Sequence, residues 1–327
     1  PMPRRGVQCL LVLLLLLLGA FLWRVYATGN PEPVGTDLWW LRVHRSLAAI
    51  IVGASLSLAG LHLQCLLRNP LASSDLLGLA SGSGLAVLVA VYLGWLAAPG
   101  VVAGGLGMPV VAVAALAGAF ATLGITFALS RRRGVLDPVQ LVLTGVAVGI
   151  ICSAGIMLVR HLLPYQHANA ADRLLLGAIR DDLRPAELLI VGGITLVAAF
   201  ATWRLGPAMD IASLSDDEAT SLGVDLPAVR RRMFLWAGTL TAGSVLLAGP
   251  IGFVGLVCPH LMRLVAGPSH RPLAPNAALA GAVLVLAGDA LVRTVELPSG
   301  RLPLGVVTAL VGGPIFIWLL RRGVAPR

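Results

Sequence analysis

Three groups of side chains in this 327-residue sequence combine types and spacings that could do chemistry. The run Leu214-Ser215-Asp216-Asp217-Glu218 places a serine three residues ahead of a glutamate. That spacing predicts a capping box, in which the serine hydroxyl accepts from an amide one turn in and the glutamate bonds back to the serine amide. Asp216 and Asp217 fall in the first turn, where the helix dipole favours negative charge. Gly223, after Leu222, can close the helix in a left-handed turn. A second group is cationic: Arg42 and Arg45, three residues apart, each carry a planar fork that matches a carboxylate. The third group is His44, His161 and His167 with Tyr165, whose ring nitrogens and phenol oxygen are of types that ligate haem iron. Solvated loop residues are the competing reading of each. His62 and Gln64 stand inside an otherwise apolar run, where polar groups are functional candidates or ties to a neighbouring helix.

The elements that must position these groups are membrane helices. The chain is 57% hydrophobic and 12% charged, more apolar surface than a water-soluble domain of this length can bury. Apolar windows of about twenty residues recur throughout, without the two-residue alternation of a transmembrane barrel. The expectation is an all-α polytopic protein with spans near 7–27, 46–67, 75–96, 105–130, 137–160, 185–203, 229–249, 251–266, 277–295 and 304–321. An even count puts both termini on one side. With that side cytoplasmic, the triplets Arg131–Arg133 and Arg230–Arg232 both fall inside, as the positive-inside rule requires. The net charge of +9 then reflects orientation and not a nucleic-acid partner. The first apolar run lacks a good small-x-small cleavage site and reads as a retained span rather than a signal peptide.

Every basic residue is arginine. Without lysine there is no Walker A loop and no Schiff-base chemistry, so any ATP hydrolysis, with its Mg, belongs to a partner chain. Cys9, Cys65, Cys152 and Cys258 lie in or beside apolar runs without a C-x-x-C pair and read as packing residues. No permanently bound cofactor or metal is expected. No H-E-x-x-H or paired acidic motif points to a membrane enzyme. An ion-coupled secondary transporter would need intramembrane carboxylates, and only Asp289 sits deep in a span.

Four blocks, in order along residues 42–320, carry a family resemblance. They are R-V-H-R-S with the following R-N-P-L-A and L-G-L-A-S-G, then L-S-D-D-E-A-T-S-L-G-V, then the block from Ala248 to Pro275, then L-P-L-G-V-V-T-A-L. Together they resemble the permeases of type II ABC importers for iron chelates, haem and vitamin B12. The resemblance implies that fold as one permease domain over 1–327, in a bacterial inner membrane, with both termini cytoplasmic. It implies a partner set: a second copy of the chain, two ATP-binding subunits and a periplasmic binding protein. It makes 209–225 a coupling segment, with Ser215, Asp216, Asp217, Glu218, Leu222 and Gly223 at its centre. Arg42, Arg45 and Arg293 match arginines that hold the binding protein. Two departures lie near the outer mouth: His44 stands where the family usually has proline, and Arg301 where it usually has glutamate, with Glu296 nearby. With His44, His161 and His167 outside, haem is the expected cargo ahead of a siderophore or cobalamin. His62, Gln64 and Arg301 join these histidines as pathway or cargo candidates.

Overall fold

The computed structural model describes residues 4–27, 36–75, 77–97, 108–132, 135–136, 138–164, 177–180, 183–294 and 302–321. Among these residues the protein is helical, apart from a two-residue antiparallel ladder of Arg131–Arg132 with Val135–Leu136. The helices are α1 Arg4–Leu22, α2 Thr36–Leu66, α3 Leu79–Ala97, α4 Met108–Leu129, α5 Pro138–Leu162, α6 Pro185–Ala212, the short α7 Asp216–Ser221, α8 Leu226–Ala248, α9 Val254–Ala266, α10 His270–Thr294 and α11 Leu304–Arg321. Setting α7 aside leaves the ten expected, of which seven are long and apolar enough to cross a membrane.

The boundaries differ from the sequence expectation in ways that matter. Helix α2 begins at Thr36, so Arg42, His44 and Arg45 lie within a helix rather than ahead of one. Helix α6 does not stop near 203 but runs through Pro207 to Ala212. Helix α10 begins at His270, seven residues ahead of the expected 277. A short five-residue π-helical stretch, Trp23–Ala27, extends α1.

Small residues set the core. Helices α2 and α10 form the most extensive pair in the bundle. Gly53 lies against the Gly281 backbone, where any side chain would collide, and Gly60 meets Gly255 of α9 in the same way. Close backbone approach through small residues is how membrane helices gain dispersion contacts without a hydrophobic drive between them. After α2 the chain runs without helix and folds back against α5. There Gly78, at φ 71°, touches the Gly149 backbone, so both the space and the left-handed conformation require glycine. Many large apolar side chains remain outward-facing, among them Leu15, Ile151 and Leu196, each about two-thirds or more exposed. A bilayer or a second copy must cover such a surface.

Candidate functional site

Helix α7 stands clear of the bundle and is built as its sequence predicts. Ser215 is its N-cap in extended conformation, and its hydroxyl accepts from the Glu218 amide at 3.3 Å. The Glu218 carboxylate accepts from the Ser215 amide at 3.1 Å and from its hydroxyl at 2.7 Å. These bonds hold the Glu218 carboxyl below its ordinary range. At the other end Gly223 takes φ 79° and donates its amide to Thr220. Ala219 is buried against the bundle, whereas Asp216, Asp217 and Leu222 face outward.

Two arginines that sequence reasoning did not assign to this segment fix its position. The R-N-P-L-A turn after α2 is an Asx turn, with Asn69 Oδ1 accepting from the Leu71 amide at 2.9 Å. Arg68 takes a left-handed φ of 47°, unusual for a non-glycine residue. That conformation accompanies an aimed side chain: Arg68 Nε donates to the Ala212 carbonyl at 3.1 Å, and Nη2 to Asp216 Oδ1 at 2.6 Å. Arg230 of α8 donates to both oxygens of Asp216, at 2.7 and 3.1 Å. Arg230's hydrogen bond first, then Arg68's, outweighs partial desolvation and keeps the Asp216 carboxyl below its ordinary range. Only the local left-handed turn could have flagged Arg68, and Arg230 is hidden among topology-setting charges.

At the opposite ends of α2 and α10, the arginines expected on one face are divided. Arg45 is 7% exposed and turned into the bundle. Its Nε and Nη2 donate to Asp289 Oδ1 at 3.0 and 2.9 Å, and Arg24 Nε donates to Oδ2 at 2.8 Å. The physical reason is the longer α2, which places Arg45 on a buried helical face. Arg42 is half-buried, and its Nη1 donates to the Val25 carbonyl of the π-helical stretch at 2.9 Å. Arg293 lies one turn beyond Asp289 and is half-buried. The deep carboxylate of Asp289 is thus bracketed by two guanidiniums.

His44 Nδ1 is 2.8 Å from the Trp40 carbonyl. A carbonyl only accepts, so Nδ1 is the donor in this contact, and Nε2 is the ring nitrogen left to face other partners. His161 is exposed near the end of α5. His167 and Arg301 lie outside the described residues, as does Tyr165. His62 and Gln64 are fully enclosed and tie helices together. His62 Nε2 bonds Thr202 of α6 at 2.8 Å, and Gln64 donates to the Gly255 and Leu256 carbonyls of α9 at 3.3 Å. The four cysteines are free thiols. Among the described residues no cluster of histidine, cysteine and carboxylate could hold a metal.

This arrangement, a capped acidic helix outside a ten-helix bundle with arginines at the far end, agrees with sequence comparison. The profile of the FecCD transport family matches residues 8–322. The chain belongs to that family. Similar curated proteins include the vitamin B12 import system permease protein BtuC of Yersinia pseudotuberculosis, 39% identical, with 87% of this chain and 82% of that protein covered. The protein of the same name from Salmonella arizonae is 36% identical, with 98% and 95% covered. Among solved structures, the inward-facing conformation of a protein described as a metal-chelate type ABC transporter superposes with TM-score 0.81 at 27% identity, covering 97% of this chain and 99% of that one. PsaBC from Streptococcus pneumoniae, solved with a Fab, matches at TM-score 0.58 and 16% identity and shares the fold. This FecCD-family chain is a membrane permease subunit of an ABC importer.

Proposed function

We propose that this permease carries a cobalamin-class metal chelate from a periplasmic binding protein into the cytoplasm of a bacterium, across the inner membrane. Two copies form the pathway, and ATP is hydrolysed in two separate subunits. The observation that carries the reading is α7: a six-residue helix with both ends capped, held outside the bundle by Arg68 and Arg230. A helix so short is not stable alone, so two caps and two ion pairs amount to deliberate stiffening of an exposed knob. Segment 209–225 with Ser215, Asp216, Asp217, Glu218, Leu222 and Gly223 is the contact for the ATPase subunit. With α7 cytoplasmic, both termini are cytoplasmic and the Arg42 and Arg293 end is periplasmic, where it receives the binding protein. The names of the relatives support a corrinoid cargo.

A second reading, haem, is favoured by one feature. The Nδ1 bond of His44 to Trp40 leaves Nε2 available to a metal centre, the arrangement by which a backbone carbonyl orients a ligating imidazole. The test is uptake into proteoliposomes holding the permease and its co-expressed ATPase subunit, with cobalamin, haem or a ferric siderophore offered on the cognate binding protein. ATP-dependent cobalamin uptake supports the first reading, and haem uptake without cobalamin uptake replaces it with the second. An absence of ATP-dependent uptake of all three sinks both.

A further inference from the structure

Helix α10 is gripped at both ends. Its 25 residues from His270 to Thr294 span about 37 Å at 1.5 Å per residue. At its start, Asp210 Oδ1 accepts from the His270 amide at 2.8 Å and from the ring Nδ1 at 2.6 Å. Asp210 Oδ2 accepts from the Ser269 hydroxyl at 2.9 Å. The His270 side chain is 6% exposed and that of Asp210 36%, so the histidine side of the clamp is buried while the carboxylate stays partly open to solvent. Two further contacts tighten the same junction. The Arg271 guanidinium lies over the Trp203 ring at 4.3 Å, and Gly206 backs directly onto the Arg271 backbone. Trp203 stands at the expected end of α6, and Gly206 and Asp210 belong to the extension that leads on towards α7.

At the other end Asp289 holds Arg45 of α2 and Arg24 of the π-helical stretch. That stretch also receives Arg42, whose Nη1 donates to the Val25 carbonyl. Between the grips α10 has little freedom to slide on α2. Gly53 and Gly281 meet backbone to backbone, and Ser57 Oγ donates to the Ala277 carbonyl at 2.6 Å. A helix held in this way moves as a body, and packed bodies of this kind switch between discrete positions rather than deform continuously.

We propose that α10 is the rod that carries movement of the coupling segment to the docking face, and that Asp210 and His270 are the positioning residues that fasten the rod to that segment. The inference rests on the transport reading above. It adds a route: nucleotide-driven displacement of α7 pulls the α6 extension, the Asp210–His270 clamp passes it to α10, and Asp289 delivers it to Arg24, Arg45 and the neighbouring Arg42.

The experiment uses the permease with its co-expressed ATPase subunit in nanodiscs, the native cysteines replaced and a spin label on Trp40→Cys, an exposed site near the start of α2. Pulsed electron resonance reads the distance between the labels of the two copies, without nucleotide and with ATP plus vanadate. The reference complex should show a nucleotide-dependent shift. In His270→Leu, which removes the ring donor to Asp210, the shift should fall to under about half, because breaking a link in a coupling network costs transmission, while basal ATPase turnover stays unchanged. His270→Asn, whose side-chain amide can still donate to Asp210, should keep most of the shift, which a merely destabilising change would not allow. A full shift in His270→Leu, or none in His270→Asn, overturns the rod. No nucleotide-dependent shift in the reference complex overturns the transport reading first, and the rod with it.

Discussion

The molecule uses one chemical motif twice, an aspartate between two arginines, in opposite surroundings. Asp289 is 1% exposed between Arg24 and Arg45, whereas Asp216 is 55% exposed between Arg68 and Arg230. Distances are alike, since the shortest contacts are 2.8 Å in the first and 2.6 Å in the second. What differs is solvent, and with it what the motif can do. Removing water makes the Asp289 group costly to build and costlier to break, because each unpartnered charge would be stranded in a low-dielectric interior. Water and salt around Asp216 leave a pair worth little to stability but able to open and reclose as a partner arrives. The first motif is a joint in the fold; the second, under the proposed coupling role of α7, is a reversible seat.

The contrast can be broken most directly at Asp289. Asp289→Asn keeps the shape and removes the buried carboxylate that Arg24 and Arg45 share, so it should cost about 3–5 kcal/mol. Thermal unfolding in detergent and the yield of monodisperse protein should both report the loss. Unchanged melting would mean that the triad is not a structural joint.

At the exposed motif the expected effect moves from stability to coupling. Asp216→Ala should shift unfolding by no more than about 1 kcal/mol yet lower uptake per ATP hydrolysed. Leu222→Arg, on the outward apolar side of α7, should lower transport-linked ATPase activity more strongly, since it puts a charge where a partner would desolvate it. If both variants transported normally in proteoliposomes, α7 would not be the lever.

The two motifs were not equally legible in the sequence. The capping box was, because Ser215 and Glu218 are neighbours on one turn and the physics that joins them is local. So were the ten helices, from runs of apolar residues alone. Asp289 and Arg45 are 244 positions apart, and nothing in either neighbourhood names the other. Arg24 lies inside the first apolar run with nothing local to mark a partner, and Arg230 read as part of a topology signal, which is what an arginine near a membrane usually is. The inward turn of Arg45 depended on where α2 begins; Pro31, Pro33 and Gly35 precede Thr36 in sequence and mark that start, but an apolar window opening near 46 set the expected boundary too late. The expected span ended near 203 with the apolar run, whereas α6 continues through Arg204 and Pro207 to Ala212, and that hid the extension bearing Asp210.

A smaller effect tests the division between Arg42 and Arg45. Arg42→Glu reverses a half-buried charge near the rim and should slow association of the binding protein, most at low ionic strength, with the folded yield kept. Arg45→Glu should instead behave like the Asp289 variant and lose folded protein, because it sets two carboxylates together in a buried site. Surface-resonance association rates at low and high salt, beside unfolding curves, separate the two. Equal docking defects with equal stability would return Arg45 to the docking face.

The smallest effect concerns protons on α7. Glu218 and Asp216 both have carboxyls held below their ordinary values of 4.5 and 3.8. A carboxylate lowered in the folded state contributes stability above its unfolded value and loses it as pH falls through the lowered one. The cap and its ion pairs should therefore be at full strength at neutral pH and should weaken progressively in acid, from the ordinary carboxylate range down through the lowered values. Hydrogen exchange of the Glu218 amide, expressed as protection over the intrinsic rate, should be flat down to about pH 5 and then fall. Glutamine can still close a capping box, so Glu218→Gln should remove the part of the fall that comes from the cap, and Asp216→Asn the part that comes from Arg68 and Arg230. The double variant should show a flat profile at lower protection throughout. If it kept the native acid transition, the titrating group would lie elsewhere, and the stiffness of α7 would owe nothing to the two carboxylates that set it apart from the buried joint at Asp289.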